Sequence, residues 1–197
     1  MRAARAGRGC AGAALWLLLC AALAGEARAD GFAPDYTALF DDNAGAVEEP
    51  SPGFEVLELP GPVILTRRDG AGVRAEDQSG HGPAGCALER LVEITAAVQL
   101  CPDLLTIAER DRLASLLRRA ARFAAENTYP PLSDEEREDA LAAELAKARL
   151  AQGGTCPQPE TEADWVRFAR SLATDAAARR FAHIFAVPRL PVAQPCP

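Results

Sequence analysis

Apolar residues recur at helical spacing over residues 81–197 and at no such spacing over residues 30–80. Leu88, Leu91, Val92 and Ala96, widened by Ile94 and Val98, predict a helix from about Ala84 to Leu100. Cys101-Pro102 ends it, because the residue before a proline is pushed out of helical geometry. Thr106-Ile107-Ala108-Glu109 fits a capping box, in which the threonine oxygen accepts from an early amide and the glutamate reaches back. Leu113, Leu116, Leu117, Ala120, Phe123 and Ala124 then make one stripe, with Arg110, Arg112, Arg118, Arg119 and Arg122 mostly off it. Tyr129-Pro130-Pro131 stops that helix. Ser133-Asp134-Glu135-Glu136 is a second capping box, and its acids suit the positive end of the helix dipole. Leu141, Leu145 and Ala148 carry the face of this third helix, and Gly153-Gly154 closes it. Thr161 opens a fourth helix with Trp165, Phe168, Ala169 and Leu172 on one face; Thr174-Asp175 breaks or interrupts it. Phe181, Ile184 and Phe185 continue the pattern to Ala186, and Pro188, Pro191 and Pro195 keep the tail extended up to Cys196.

Residues 30–80 have no helical period. Asp41-Asp42-Asn43-Ala44-Gly45 through Pro52-Gly53 reads as loop or disordered chain. Phe54–Leu59 is a short strand, Val63–Thr66 a second, Arg68-Asp69-Gly70 a turn, and Val73–Glu76 a returning third strand. A ribbon of two or three strands is too small to fold alone and has to pack on something. The expected fold is therefore mainly α: a bundle of four to five helices over residues 81–197 with an extended C-terminal tail, and a small β ribbon in an irregular extension over 30–80.

The first 29 residues read as an address. Arg2, Arg5 and Arg8 precede an apolar run from Ala13 to Ala24, and Ala27-Arg28-Ala29 is a small-x-small site. This is the three-part pattern of a secretory signal peptide, with cleavage expected before Asp30. The run falls short of the roughly 20 residues a spanning helix needs, so no stable membrane insertion is expected afterwards. Lys147 is the sole lysine in an alanine- and arginine-rich chain, a usage that goes with a GC-rich bacterial genome. The expected location is the periplasm or the extracellular space.

Export changes the charge and the cysteine count. The whole chain carries −7. Losing residues 1–29, with four arginines and one acid, takes it to −10, and −8 of that lies in residues 30–80, with eleven acids and three arginines. The helical part is nearly neutral. An acidic chain lacks the clustered positive charge that nucleic acid requires, so no nucleic-acid partner is expected. Cys10 and Cys20 leave with the signal, and Cys86, Cys101, Cys156 and Cys196 remain, an even set that in an exported protein reads as two disulfides. A bond between Cys86 and Cys101 is excluded, since opposite ends of one helix stand roughly 22 Å apart and a disulfide needs Cα atoms within about 7 Å. Two pairings are left. Cys101–Cys156 with Cys86–Cys196 is favoured over Cys101–Cys196 with Cys86–Cys156, because Cys101 and Cys156 both sit at loop positions flanking helices and Cys196 would staple the tail to the start of the first helix.

Candidate chemistry is sparse. No Cys-x-x-Cys pair suits redox work, and the cysteine and histidine spacing suits no zinc site. His81, in Ser79-Gly80-His81-Gly82-Pro83, offers a general base or, with Asp77, a metal ligand, but reads better as a solvated loop histidine; His183 reads as a packed or half-exposed helix residue. Asp41 with Asp42 and Glu48 with Glu49 lack the spaced ligands of a calcium loop. Glu135, Glu136, Glu138 and Asp139 look like a helix start, and Arg179-Arg180 like a solvated helix face. No nucleophile elbow, zinc-protease motif or phosphate loop occurs, so no catalytic residue, cofactor or metal is expected. Trp165 and Phe168 are the most informative aromatics: one helical face carries both, as core or as the wall of a ligand pocket. The expected function is that of a non-catalytic interaction protein (an adaptor, accessory subunit or inhibitor) whose acidic front meets a partner with a basic surface. A small-ligand-binding helical bundle is the alternative, and a carboxylate-based hydrolase of the cell envelope ranks third.

Overall fold

The computed structural model describes residues 31–156, 159–194 and 196, with 159–164 described by their backbone alone. The expected signal segment and its cleavage point lie outside the described residues. In chain order the elements are α1 (Tyr36–Asp42), β1 (Glu48–Ser51), β2 (Phe54–Leu59), β3 (Val63–Arg68), β4 (Arg74–Asp77), α2 (Ala84–Leu100), α3 (Ile107–Asn127), α4 (Asp134–Ala151), α5 (Pro159–Leu172) and α6 (Asp175–Ile184). Single 3-10 turns occupy Ala44–Ala46 and Pro102–Leu104.

The central helix is α2, buried on most of its circumference from Ala84 to Val98. Its Leu88, Leu91, Val92 and Ile94 share a core with Leu113, Leu116, Leu117 and Phe123 of α3, Ala169 of α5 and Phe181 of α6. Both capping boxes form as their residues require. The Glu109 amide donates to Thr106 Oγ1 and the Thr106 amide to Glu109 Oε2; Ser133 and Glu136 repeat the exchange. Thr174 caps α6 by accepting from the Ala177 amide, so Thr174-Asp175 divides two helices. The helix assigned to Thr161 begins at Pro159. No residue of α4 is fully buried. Its Ala140, Leu141, Leu145 and Ala148 are half-buried against the core, and its exposed residues include Ala142, Ala143 and Lys147.

The first region departs from expectation. The four strands form one antiparallel sheet in the order β1-β2-β3-β4, one strand more than the ribbon anticipated. The stretch expected to be loop or disordered holds the end of α1, a 3-10 turn and β1. Strand β1 is exposed at every position, so it shows none of the apolar alternation by which half-buried strands are recognised. Helix α1 is only seven residues long, capped by Asp35, whose Oδ1 accepts from the Ala38 amide. It is held by Leu39 and Phe40, which are buried in a second core with Leu57, Val63, Leu65 and Ala75 of the sheet and Leu190 and Val192 of the tail. Register places Leu57 opposite Leu65 and Leu65 opposite Ala75, which gathers these side chains on one face.

Long-range ties join the two cores. Cys86–Cys196 and Cys101–Cys156 lie at Cα separations of 5.4 and 5.6 Å, the pairing favoured from sequence. They fit an oxidising environment. The tail bonds to α2, where the Gly85 amide donates to the Val192 carbonyl at 2.9 Å, and to the sheet, where the Asp77 amide donates to the Gln194 carbonyl at 3.2 Å. Phe32 lies in the helical core, and its carbonyl accepts from Thr128 Oγ1. Thus the acidic extension is packed on the helices at its N-terminal end and tied to the tail at its C-terminal end. Among the described residues, no helix is long and apolar enough to cross a membrane.

Candidate functional site

A cleft of about 1130 Å³ opens between α2, α4 and α5, bordered by residues 32–36 and by Pro191 and Ala193 of the tail. Each wall follows from a local pattern. On α2, Leu88 and Val92 are one turn apart at the edge of the buried face, with Glu89 and Glu93 beside them at the same spacing. On α4, the half-buried Ala148 continues the apolar side while Glu144 and Lys147 stand at the rim. On α5, Ala169 is fully buried, and Trp165 and Leu172 pack against the core. Phe168 lies three residues from Trp165 and next to Ala169, which puts it at the margin of the apolar stripe. It is 46 % exposed. Both members of the aromatic pair singled out from sequence line this cleft.

The charges of the cleft are unevenly matched. Arg90 Nη1 lies 3.0 Å from Glu93 Oε2, and Lys147 Nζ lies 3.7 Å from Glu144 Oε2. Glu89 makes no hydrogen bond or ion pair among the described residues. Its carboxyl is pushed above the ordinary glutamate range, first by desolvation and then by the negative charge of Glu93, with Glu144 adding to it and Arg90 and Lys147 partly opposing the rise. Glu89, Glu93 and Glu144 were not separable in sequence from solvated helix acids. The spacing of Glu89 and Glu93 marks a helix face, and only the packing of α4 on α2 brings Glu144 to them.

The remaining candidates fall elsewhere. His81 is held in its loop. Its Nδ1–H donates to the His183 carbonyl at 3.1 Å, and the two imidazoles lie 4.4 Å apart between centroids. The solvated loop histidine expected from sequence is therefore corrected to a half-buried residue whose ring is tilted by 39° against that of His183, because α6 ends against that loop. Asp77 does not approach His81 as a co-ligand; its oxygens are taken by Arg189 and Ser79. Asp42 accepts from the Tyr129 hydroxyl, and Glu49 from the Gly53 amide. Among the described residues, no three His, Cys, Asp or Glu side chains gather to hold a metal ion. Arg179 and Arg180 are exposed on α6.

A second hollow, of about 390 Å³, lies at the end of the sheet between Glu49, Gly53, Glu55, Arg67 and Asp69. Its floor is closed by the Arg67–Glu55 pair, which holds the Glu55 carboxyl below the ordinary glutamate range and raises Arg67. Its lining is polar, with its central charges already paired. The apolar walls and the unpaired acid belong to the helical cleft. Comparison of the chain with family models, curated proteins and solved structures finds no match.

Proposed function

We propose that the chain is an exported, non-catalytic binding protein and that the cleft between α2, α4 and α5 is its ligand site. The observation that carries this reading is Phe168. A phenylalanine ring left 46 % exposed beside a half-buried tryptophan, at the mouth of an apolar cleft, leaves apolar area that a ligand would cover. The cleft is large enough for a drug-sized molecule, and it combines apolar walls with a few charged groups, as ligand sites generally do. The acids of the cleft also bear on the hydrolase alternative. Glu93 and Glu144 each have a cation at ion-pair distance, an arrangement that suits charge balance better than proton transfer. Native mass spectrometry of the purified chain, before and after exposure to extracts of its own cells, tests the proposal. A retained small molecule that is lost in Phe168→Ser supports it; no added mass under any condition overturns it.

A second reading concerns the sheet. Strand β1 is an edge strand with Glu48 and Glu49 exposed, and Asp41, Glu58 and Asp69 are exposed nearby in the chain. This supports a macromolecular partner with a basic surface. Affinity capture with the wild type and with Glu48→Gln/Glu49→Gln tests it. A partner captured equally by both would sink the role of this edge.

A further inference from the structure

The charge balance inside the cleft says what a ligand must bring. Arg90 and Lys147, the described cations of the cleft, each lie at ion-pair distance from one acid, Glu93 and Glu144, while Glu89 is a third acid in no ion pair, on which both cations act only through space. Among its described residues the site therefore carries three acids against two cations, a surplus of negative charge. Around Glu89, one turn of α2 presents Leu88 and Val92, and α5 presents Trp165 and Phe168. Taking these together, and resting on the cleft being a ligand site, we infer that its ligand is a small amphipathic organic cation. Its ammonium or guanidinium group pairs with Glu89, and its apolar body covers Trp165 and Phe168.

Three further points agree with this assignment. An aromatic face attracts a cation and an apolar chain alike, so Trp165 and Phe168 tolerate either end of such a molecule. Glu89 is exposed in the open cleft, and a ligand lying over it would displace water from the pair, where the attraction is less screened. The upward push on the Glu89 carboxyl points the same way: desolvation and the neighbouring Glu93 disfavour its negative charge by more than Arg90 and Lys147 favour it. An anionic ligand would meet the opposite conditions, with Arg90 and Lys147 already engaged and Glu89 repelling it.

Isothermal titration calorimetry of the full chain with octylammonium, octanol and octanoate tests the inference, since the three share a chain and differ in head charge. Octylammonium is expected to bind at least tenfold more tightly than octanol, and octanoate more weakly than either. Glu89→Gln, a near-isosteric change at an exposed position, is expected to collapse the ratio between octylammonium and octanol to within about twofold, on the scale of one charged hydrogen bond. Glu126→Gln, on α3 and outside the cleft, is expected to keep the ratio. Equal affinities for the three compounds, a preference for octanoate, or an unchanged ratio in Glu89→Gln would each overturn the cation assignment while leaving the cleft as a binding site. Failure of all three compounds to bind would overturn the binding reading itself, and the assignment with it.

Discussion

The guanidinium Nε of Arg189 lies 2.6 Å from Asp77 Oδ2, and neither side chain has any surface open to solvent. The pair joins the C-terminal tail to the end of β4. Its other polar atoms are also engaged: Arg189 donates to the carbonyls of Gly82, Ile184 and Val187, and Asp77 accepts from the amide and hydroxyl of Ser79. One guanidinium thereby holds the sheet, the loop before α2, the end of α6 and the tail in one arrangement. Removing one member of such a pair leaves a buried charge without its partner, at a cost of about 3–5 kcal/mol. Arg189→Met and Asp77→Asn are each expected to lower stability by that amount in urea unfolding. The double variant is expected to lose less than the sum of the two, since it strands neither charge. Additive losses would show that the ion pair does not couple the two residues.

The disulfides act on the unfolded chain. Cys86 and Cys196 are 110 residues apart and Cys101 and Cys156 are 55 apart. Chain-entropy arguments assign about 5 kcal/mol to the longer loop and about 4 kcal/mol to the shorter. Cys86→Ser/Cys196→Ser is therefore expected to be somewhat more destabilising than Cys101→Ser/Cys156→Ser. Thermal unfolding of the two double variants, with the wild type under reducing conditions as reference, measures the difference. A reduced wild type as stable as the oxidised one would refute the stapling role.

How far the sequence already showed these features depends on the range of each interaction. Helices α2 to α4 were legible because their stripes repeat every turn and their caps are local, with Thr106 and Glu109 only three residues apart. The cysteine pairing was legible because helix length is arithmetic. Helix α1 was not, since seven residues make barely two turns, too few to repeat a stripe, and its Leu39 and Phe40 are explained only by the sheet beneath them. Strand β1 was hidden by having both faces in water. Arg189 with Asp77 and His81 with His183 meet across more than a hundred residues, and nothing in either local sequence announces the other. The cleft was half legible: the aromatic pair of α5 stood out, while Glu89 and Glu144 resembled any acids on a solvated helix.

The raised pKa of Glu89 fixes the sign of a pH effect. A carboxyl with a higher pKa in the folded than in the unfolded chain favours the fold when protonated and opposes it when ionised. Below the unfolded-state pKa both states are protonated and Glu89 has no effect. As pH rises through the ordinary glutamate range and on through the raised folded value, stability is lost, and the loss then stays constant. Glu89→Gln is thus expected to raise the melting temperature at neutral pH, with the gain vanishing at pH below the glutamate range. Melting curves from pH 3 to 8 check this, and a gain that grows toward acid would contradict it.

The cap of α3 provides a contrast of opposite sign. The Thr106 amide and hydroxyl both donate to Glu109, and these bonds hold the Glu109 carboxyl below the ordinary range. Its contribution is present above the unfolded-state pKa and is lost as pH falls through the folded value. Thr106→Ala removes the oxygen that accepts the Glu109 amide and is expected to cost about 1 kcal/mol at neutral pH. The penalty is expected to shrink in acid, where the wild-type box is itself weakened. Chemical unfolding at pH 7 and pH 3 compares the two, and a pH-independent penalty would show that the glutamate half of the box contributes nothing.

Gly85 shows how closely the tail approaches α2 and so shapes one border of the cleft. A Cβ on Gly85 would lie 2.5 Å from the Pro191 carbonyl oxygen and 2.7 Å from the Val192 carbonyl carbon, both backbone atoms that cannot rotate away. The Gly85 amide is meanwhile hydrogen-bonded to the Val192 carbonyl, so separation of the two segments breaks that bond. Gly85→Ala would by itself favour the helix by roughly 1 kcal/mol, yet overpacking of this kind typically costs 1–3 kcal/mol or more. The clash is the larger effect, because here the obstacle is main chain. The variant is expected to be less stable overall and to release the tail, seen as faster proteolysis after residue 186. Gly72→Ala serves as the control: its added Cβ meets nothing within 4 Å, and reduced freedom of the unfolded chain is expected to leave it neutral or stabilised by up to about 1 kcal/mol. If Gly85→Ala matched Gly72→Ala in stability and protease resistance, the close contact between tail and helix would be refuted.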